Sequence, residues 1–131
     1  MPIDFEFALV CDDARREDNG KLFLIGVYGT NMLVPSFPAA LVVALAMGVS
    51  ATESTELQTD LRVLLDEKEI LSGSGQMRAQ LPGRQIFPVK NLLIQVESAG
   101  TLHFQIRPKE GEWQTLCSMP ITLQPKTDAS T

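Results

Sequence analysis

Hydrolytic or acyl-transfer chemistry needs a nucleophile beside a base, and the chain has one histidine to serve as that base, His103. It falls in Leu102-His103-Phe104-Gln105-Ile106, where apolar residues alternate, so its imidazole is expected on the face opposite the greasy one, as a surface or cross-strand residue. Gly73-Ser74-Gly75 is too short for a nucleophile elbow and lies in a strand-like pattern rather than between a strand and a helix. Cys11 and Cys117 match neither a metal-ligand spacing nor a disulfide framework and read as small core hydrophobes. No glycine-rich loop leads into a helix start that could cradle phosphate. Trp113 and Tyr28 lie in strand patterns and are expected to pack rather than to form a ligand platform. The expectation is therefore a protein that is not an enzyme and carries no cofactor or metal.

One segment is dense in functional groups: Asp12-Asp13-Ala14-Arg15-Arg16-Glu17-Asp18-Asn19-Gly20. Its polar members, Asp12, Asp13, Arg15, Arg16, Glu17, Asp18 and Asn19, are the candidate contacts for a partner or an ion. Some β-sandwiches bind calcium through such loops, because a hard cation wants several oxygen ligands. Arg15 and Arg16 offset two of the four carboxylates and argue against that use. The plainer alternative is a solvated hairpin loop with Asx-turns and surface ion pairs.

Sixteen acidic and eleven basic side chains give a net charge of −5, a sign that repels phosphate backbones and anionic lipid headgroups. Nucleic acid and membrane surfaces are therefore not the expected partners. Leu22 to Thr52 carries no charge, but Gly26, Asn31, Pro35 and Pro38 interrupt it. Its densest apolar part, Ala39 to Val49, is well short of the roughly 20 residues a spanning helix needs. The first residues show no cationic segment leading into an apolar run, which gives a cytoplasmic location as the expectation.

These groups must be positioned by strands, because period-2 alternation dominates the chain. Phe5, Phe7, Leu9 and Cys11 are expected on one face, opposite Asp4 and Glu6. Leu22 to Val27 is apolar on both faces, as a covered strand would be. Asn19-Gly20 between them suits a hairpin turn. Asn31 to Pro38 reads as a crossing or edge segment. From Leu41 to Ser50, one face carries Leu41, Val43, Leu45, Met47 and Val49. The other carries Val42, Ala44, Ala46, Gly48 and Ser50, small enough for close approach by another layer or another chain. Leu57 to Leu65 fits a strand better than a helix, since a helix would leave Val63 off its apolar stripe. Asp66-Glu67-Lys68 is a tight turn, and Ser72 to Gly75 a weak, bulged strand. The last three strands, centred on Ile94, Phe104 and Met119, are expected to form a meander joined by hairpins at Ser98 to Gly100 and Lys109 to Glu112.

With 131 residues, 44% hydrophobic and 21% charged, the chain is sized for one core. The expected fold is all-β: a two-sheet antiparallel β-sandwich of about eight strands, immunoglobulin-like or C2-like, over residues 1–123 as a single domain. Residues 124–131 are expected to form a polar, frayed tail.

The run Cys11-Asp12-Asp13-Ala14-Arg15-Arg16-Glu17-Asp18-Asn19-Gly20-Lys21, continued by Leu24-Ile25-Gly26-Val27-Tyr28, resembles the opening of a family of small, uncharacterised bacterial proteins. Val34-Pro35-Ser36-Phe37-Pro38 strengthens the likeness. The resemblance implies a bacterial β-sandwich and transfers no activity to any residue. The functional expectation is a non-enzymatic protein-binding or assembly module, with an unknown protein or a second copy as partner. The alternative is a calcium- or small-ligand-binding sandwich using residues 12–19.

Overall fold

A computed structural model describes residues 3–80 and 82–125. They form nine strands and, among the described residues, no helix: β1 (Ile3–Arg16), β2 (Leu22–Val27), β3 (Met32–Val34), β4 (Ala39–Ala51), β5 (Thr55–Leu65), β6 (Lys68–Ala79), β7 (Gly83–Val96), β8 (Gly100–Pro108) and β9 (Gln114–Leu123). One sheet has the order β2-β1-β4-β7 and is antiparallel throughout. The other has the order β3-β9-β8-β5-β6, antiparallel except where β3 runs parallel to β9. Of the two fold types expected, this order matches the immunoglobulin one. β1, β4 and β7 take the places of strands A, B and E, while β9, β8, β5 and β6 take those of G, F, C and C′. β2 is added outside A, and no described strand occupies the D place.

Inward side chains of both sheets meet in one core. Val10, Val43, Leu45, Met47, Ile94 and Val96 from the first sheet pack with Val63, Leu102, Phe104, Ile106 and Ile121 from the second. In β4 the alternation resolves as read, with Val43, Leu45, Met47 and Val49 inside. The opposite face is small because its close neighbour is Phe7 of the adjacent strand: a Cβ at Gly48 would collide with that ring. The expected close approach thus comes from within the same sheet.

Several expectations need correction. Phe5 pairs with Val49 but Phe7 with Gly48, so Glu6 is an extra, bulged residue. The bulge resets the phase of alternation, leaving Phe5 inside with Ala8 and Val10, and turning Phe7, Leu9 and Cys11 to the other side. From Phe7 to Cys11 both phases are apolar, so the pattern alone could not reveal the slip. β2 is not covered: it is an edge strand whose Phe23, Ile25 and Val27 are exposed. β7 pairs with β4 rather than β8, so Ser98-Ala99 crosses between sheets and only β8 and β9 form a hairpin. The bulge expected at Ser72 to Gly75 lies earlier, at Ile70, between the Val63–Leu71 and Leu64–Glu69 pairs. Strand β9 starts at Gln114, which leaves Trp113 in the preceding loop. Gln124 N–H donates to Val34 O at 2.7 Å, so this first residue of the expected tail is tied down, and residues 126–131 lie outside the described residues.

Candidate functional site

The dense polar segment is mostly strand. β1 continues to Arg16, and the turn proper is Glu17 to Lys21, closed by Glu17 N–H to Lys21 O (2.8 Å) and Gly20 N–H to Glu17 O (3.0 Å). Lys21 N–H donates to Asn19 Oδ1 at 3.1 Å, and Gly20 supplies a φ of +86° that suits it to this turn. Asp12 and Asp13 are engaged separately. Tyr28 O–H donates to Asp12 Oδ1 at 2.9 Å; burial, then that carboxylate, pushes the phenol up to about 12. Gly26, at φ +66°, lets the Asp12 side chain lie against the backbone of β2. Asp13 accepts from Arg15 Nε and from Ala14 N–H, each at 2.9 Å, with Lys90 Nζ of β7 at 3.4 Å. The Arg15 hydrogen bond holds its carboxyl below the usual carboxylate range. Glu17 and Asp18 are exposed, and Arg16 faces a shallow depression shared with Lys21, Arg78 and Arg84. The seven candidates are therefore not brought to one point. Among the described residues no three His, Cys, Asp or Glu side chains are grouped to hold a metal ion.

Cys11 lies fully buried with Ala14, Ala44 and Leu24, and Cys117 packs against the main core; burial raises both thiols. They behave as the small hydrophobes expected. His103 stands directly across from Ser118, with Nδ1 at 2.7 Å from Ser118 Oγ, the cross-strand role expected of it.

On the outer face of the five-stranded sheet the polar side chains satisfy one another. Asp60 accepts from Ser74 Oγ (2.8 Å) and Arg107 Nε (2.9 Å), and these two bonds, in that order, hold its carboxyl below the usual range. Arg62 Nε donates to Gln105 Oε1 at 2.7 Å, and Gln105 Nε2 donates to Thr115 Oγ1 at 2.9 Å. Both guanidinium groups stack on Trp113, Arg62 at 4.2 Å and Arg107 at 4.3 Å from the ring centre.

On the outside of the four-stranded sheet the contacts of Asp13 with Arg15 and Lys90 stand beside a largely apolar surface. Directly opposed residues share a face, which gives the rows Phe7–Gly48–Ile86, Leu9–Ala46–Pro88 and Val42–Leu93. Of the ten exposed large apolar residues among the described residues, eight belong to this sheet's strands: Phe7, Leu9, Phe23, Ile25, Val27, Val42, Ile86 and Leu93, with exposures from 37% to 58%. The other two, Leu33 and Leu123, lie on β3 and β9. Sequence reading missed this surface because β2 looked covered and Phe7 and Leu9 looked internal. The usable signal was a stretch apolar at both phases.

Residues 6–122 match the profile of DUF6941, described as a family of unknown function. The chain belongs to that family. The DUF6941 match begins within β1 and ends within β9, so it takes in strands of both sheets. No curated protein matches the chain.

Proposed function

We propose that this protein is a non-enzymatic assembly module that buries the apolar outer side of its four-stranded sheet against a second copy of itself. The observation that carries this reading is the concentration of eight exposed large apolar side chains on the strands of one sheet. Clustered apolar surface on a folded domain marks an interaction site, since each Å² removed from water contributes about 25 cal/mol. In a twofold contact a patch meets its own copy, so any unpaired charge on it would oppose its like. Here the nearby charges are paired within the chain, Asp13 with Arg15 and Lys90, and Glu6 with Arg84, so they do not resist approach. The proposed setting is a bacterial cytoplasm, supported by two free cysteines that a reducing compartment would keep as thiols.

Sedimentation velocity of the wild type and of the double variant Val42→Asp/Ile86→Asp, whose positions are not directly opposed, tests the assembly. The wild type is expected to associate, and the variant to sediment as a monomer with an unchanged melting temperature. A wild type that stays monomeric at its highest soluble concentration, or association untouched by the two charges, overturns the reading.

A further inference from the structure

A second site lies on the flank of the sandwich, where the edge strands β6 and β7 face each other. Along β6 the inward positions are Leu71, Gly73, Gly75 and Met77, directly opposite Val63, Leu61, Thr59 and Leu57 of β5. A Cβ built at Gly73 or Gly75 would meet nothing within 4 Å, so two side chains that could complete the core are missing there. They leave an open, mainly apolar cavity of about 310 Å³ whose walls include Met47, Leu61, Phe87, Leu92 and Ile106. An apolar cavity of about 150 Å³ accommodates a benzene ring, so this one has room for roughly two large side chains.

The strand bordering the cavity is open to pairing. β6 is the last strand of its sheet, and Ser72 to Met77 contains neither proline nor charge, the usual devices that block edge pairing. The facing strand β7 is guarded by Pro88 and by a bulge between its pairs at Val89 and Leu92. At the Phe87 end, the cavity adjoins a depression where Arg16 and Lys21 lie beside Arg78 and Arg84, which are paired with Glu56 and Glu6, so that Arg16 and Lys21 supply its positive character.

We propose that β6 accepts an extended peptide of a partner protein as an added strand. Large apolar side chains two residues apart enter the cavity, and an acidic group at one end meets the basic depression. The segment at residues 124–131, Gln-Pro-Lys-Thr-Asp-Ala-Ser-Thr, carries no large apolar side chain and does not suit this role. The cavity and the open β6 edge are observations independent of the four-stranded sheet's outer surface, and sedimentation reads that surface separately.

The probe is a fluorescein-labelled synthetic peptide, Thr-Leu-Thr-Phe-Thr-Asp-Glu, titrated with the full chain and followed by anisotropy. The wild type is expected to bind it, with affinity falling as salt rises. Replacing the acidic pair by Asn-Gln, or N-methylating alternate backbone amides, is expected to weaken binding. The double variant Gly73→Leu/Gly75→Val fills the cavity; neither glycine has a positive φ, so the fold accepts side chains there. It is expected to melt no lower than the wild type while losing about tenfold or more in peptide affinity. Unchanged affinity in the filled variant, N-methylated peptide binding as well as its parent, or no binding of the peptide to the wild type, whether or not dodecanoate binds, overturns the proposal.

Discussion

The side chains that point away from the core on the five-stranded sheet find partners across their own strands. Asp60 is held by Ser74 and Arg107, Arg62 by Gln105, and both arginines lie on Trp113. On the four-stranded sheet, the corresponding outward rows are Phe7–Gly48–Ile86 and Val42–Leu93, whose side chains form no hydrogen bonds and gain only by being covered from water. One sheet closes its polar accounts internally, whereas the other leaves exposed hydrocarbon that a second layer could cover. A sandwich that served only to fold would have no need of this asymmetry. The proposed assembly rests on this difference.

The comparison presumes that the two sheets stand on one core. Phe104, fully buried between them, gives the largest expected effect: Phe104→Ala should cost about 3–5 kcal/mol in urea unfolding. The chain's single tryptophan and single tyrosine should report the same midpoint, although Trp113 lies on one sheet and Tyr28 bonds to the other. Separate midpoints would divide the molecule into two units. Phe7→Ala should cost less, about 1–2 kcal/mol, because the ring is 43% exposed while it covers Gly48. It should also weaken association. On the polar side, Trp113→Ala should cost about 1 kcal/mol through two lost cation–π contacts and leave association unchanged. Association that responded to Trp113 rather than Phe7 would reverse the assignment of the two faces.

The smallest effect concerns the contact between Asp12 of β1 and Tyr28, the residue after β2. Tyr28 has its folded pKa raised to about 12 by burial and by Asp12, so the fold favours the protonated phenol. The stability from this contact is complete below the unfolded value of about 10 and is lost as pH rises through about 12. Ultraviolet titration of the one tyrosine should give a midpoint near 12, and Asp12→Asn should lower it. A midpoint unmoved by the substitution would detach Tyr28 from Asp12.

Much of the fold was legible because alternation is a local consequence of strand geometry. Val43 to Val49, Leu57 to Leu65 and Leu102 to Ile106 all face as their patterns require. Phase and pairing were less legible. A bulge at Glu6 swaps the faces of Phe7 and Leu9, and no local signal tells Ser98-Ala99 to cross sheets rather than turn back. The candidate segment at residues 12–19 was visible as chemistry but not as geometry. Its carboxylates are drawn apart by Tyr28 and by Lys90, residues 16 and 77 positions distant from Asp12 and Asp13. Gly73 and Gly75 read only as weakness in a strand, because the void beside them depends on Phe87 and Leu92 of the other sheet.

Methyl-resolved NMR with a soluble paramagnetic reagent, recorded at low and high protein concentration, reads the central claim directly. Methyls of Val42, Ile86 and Leu93 should become shielded as concentration rises, while those of Leu33 and Leu123 remain accessible. Equal accessibility of all five at both concentrations would mean that the four-stranded sheet keeps its apolar side in water, and the assembly assigned to it would be wrong.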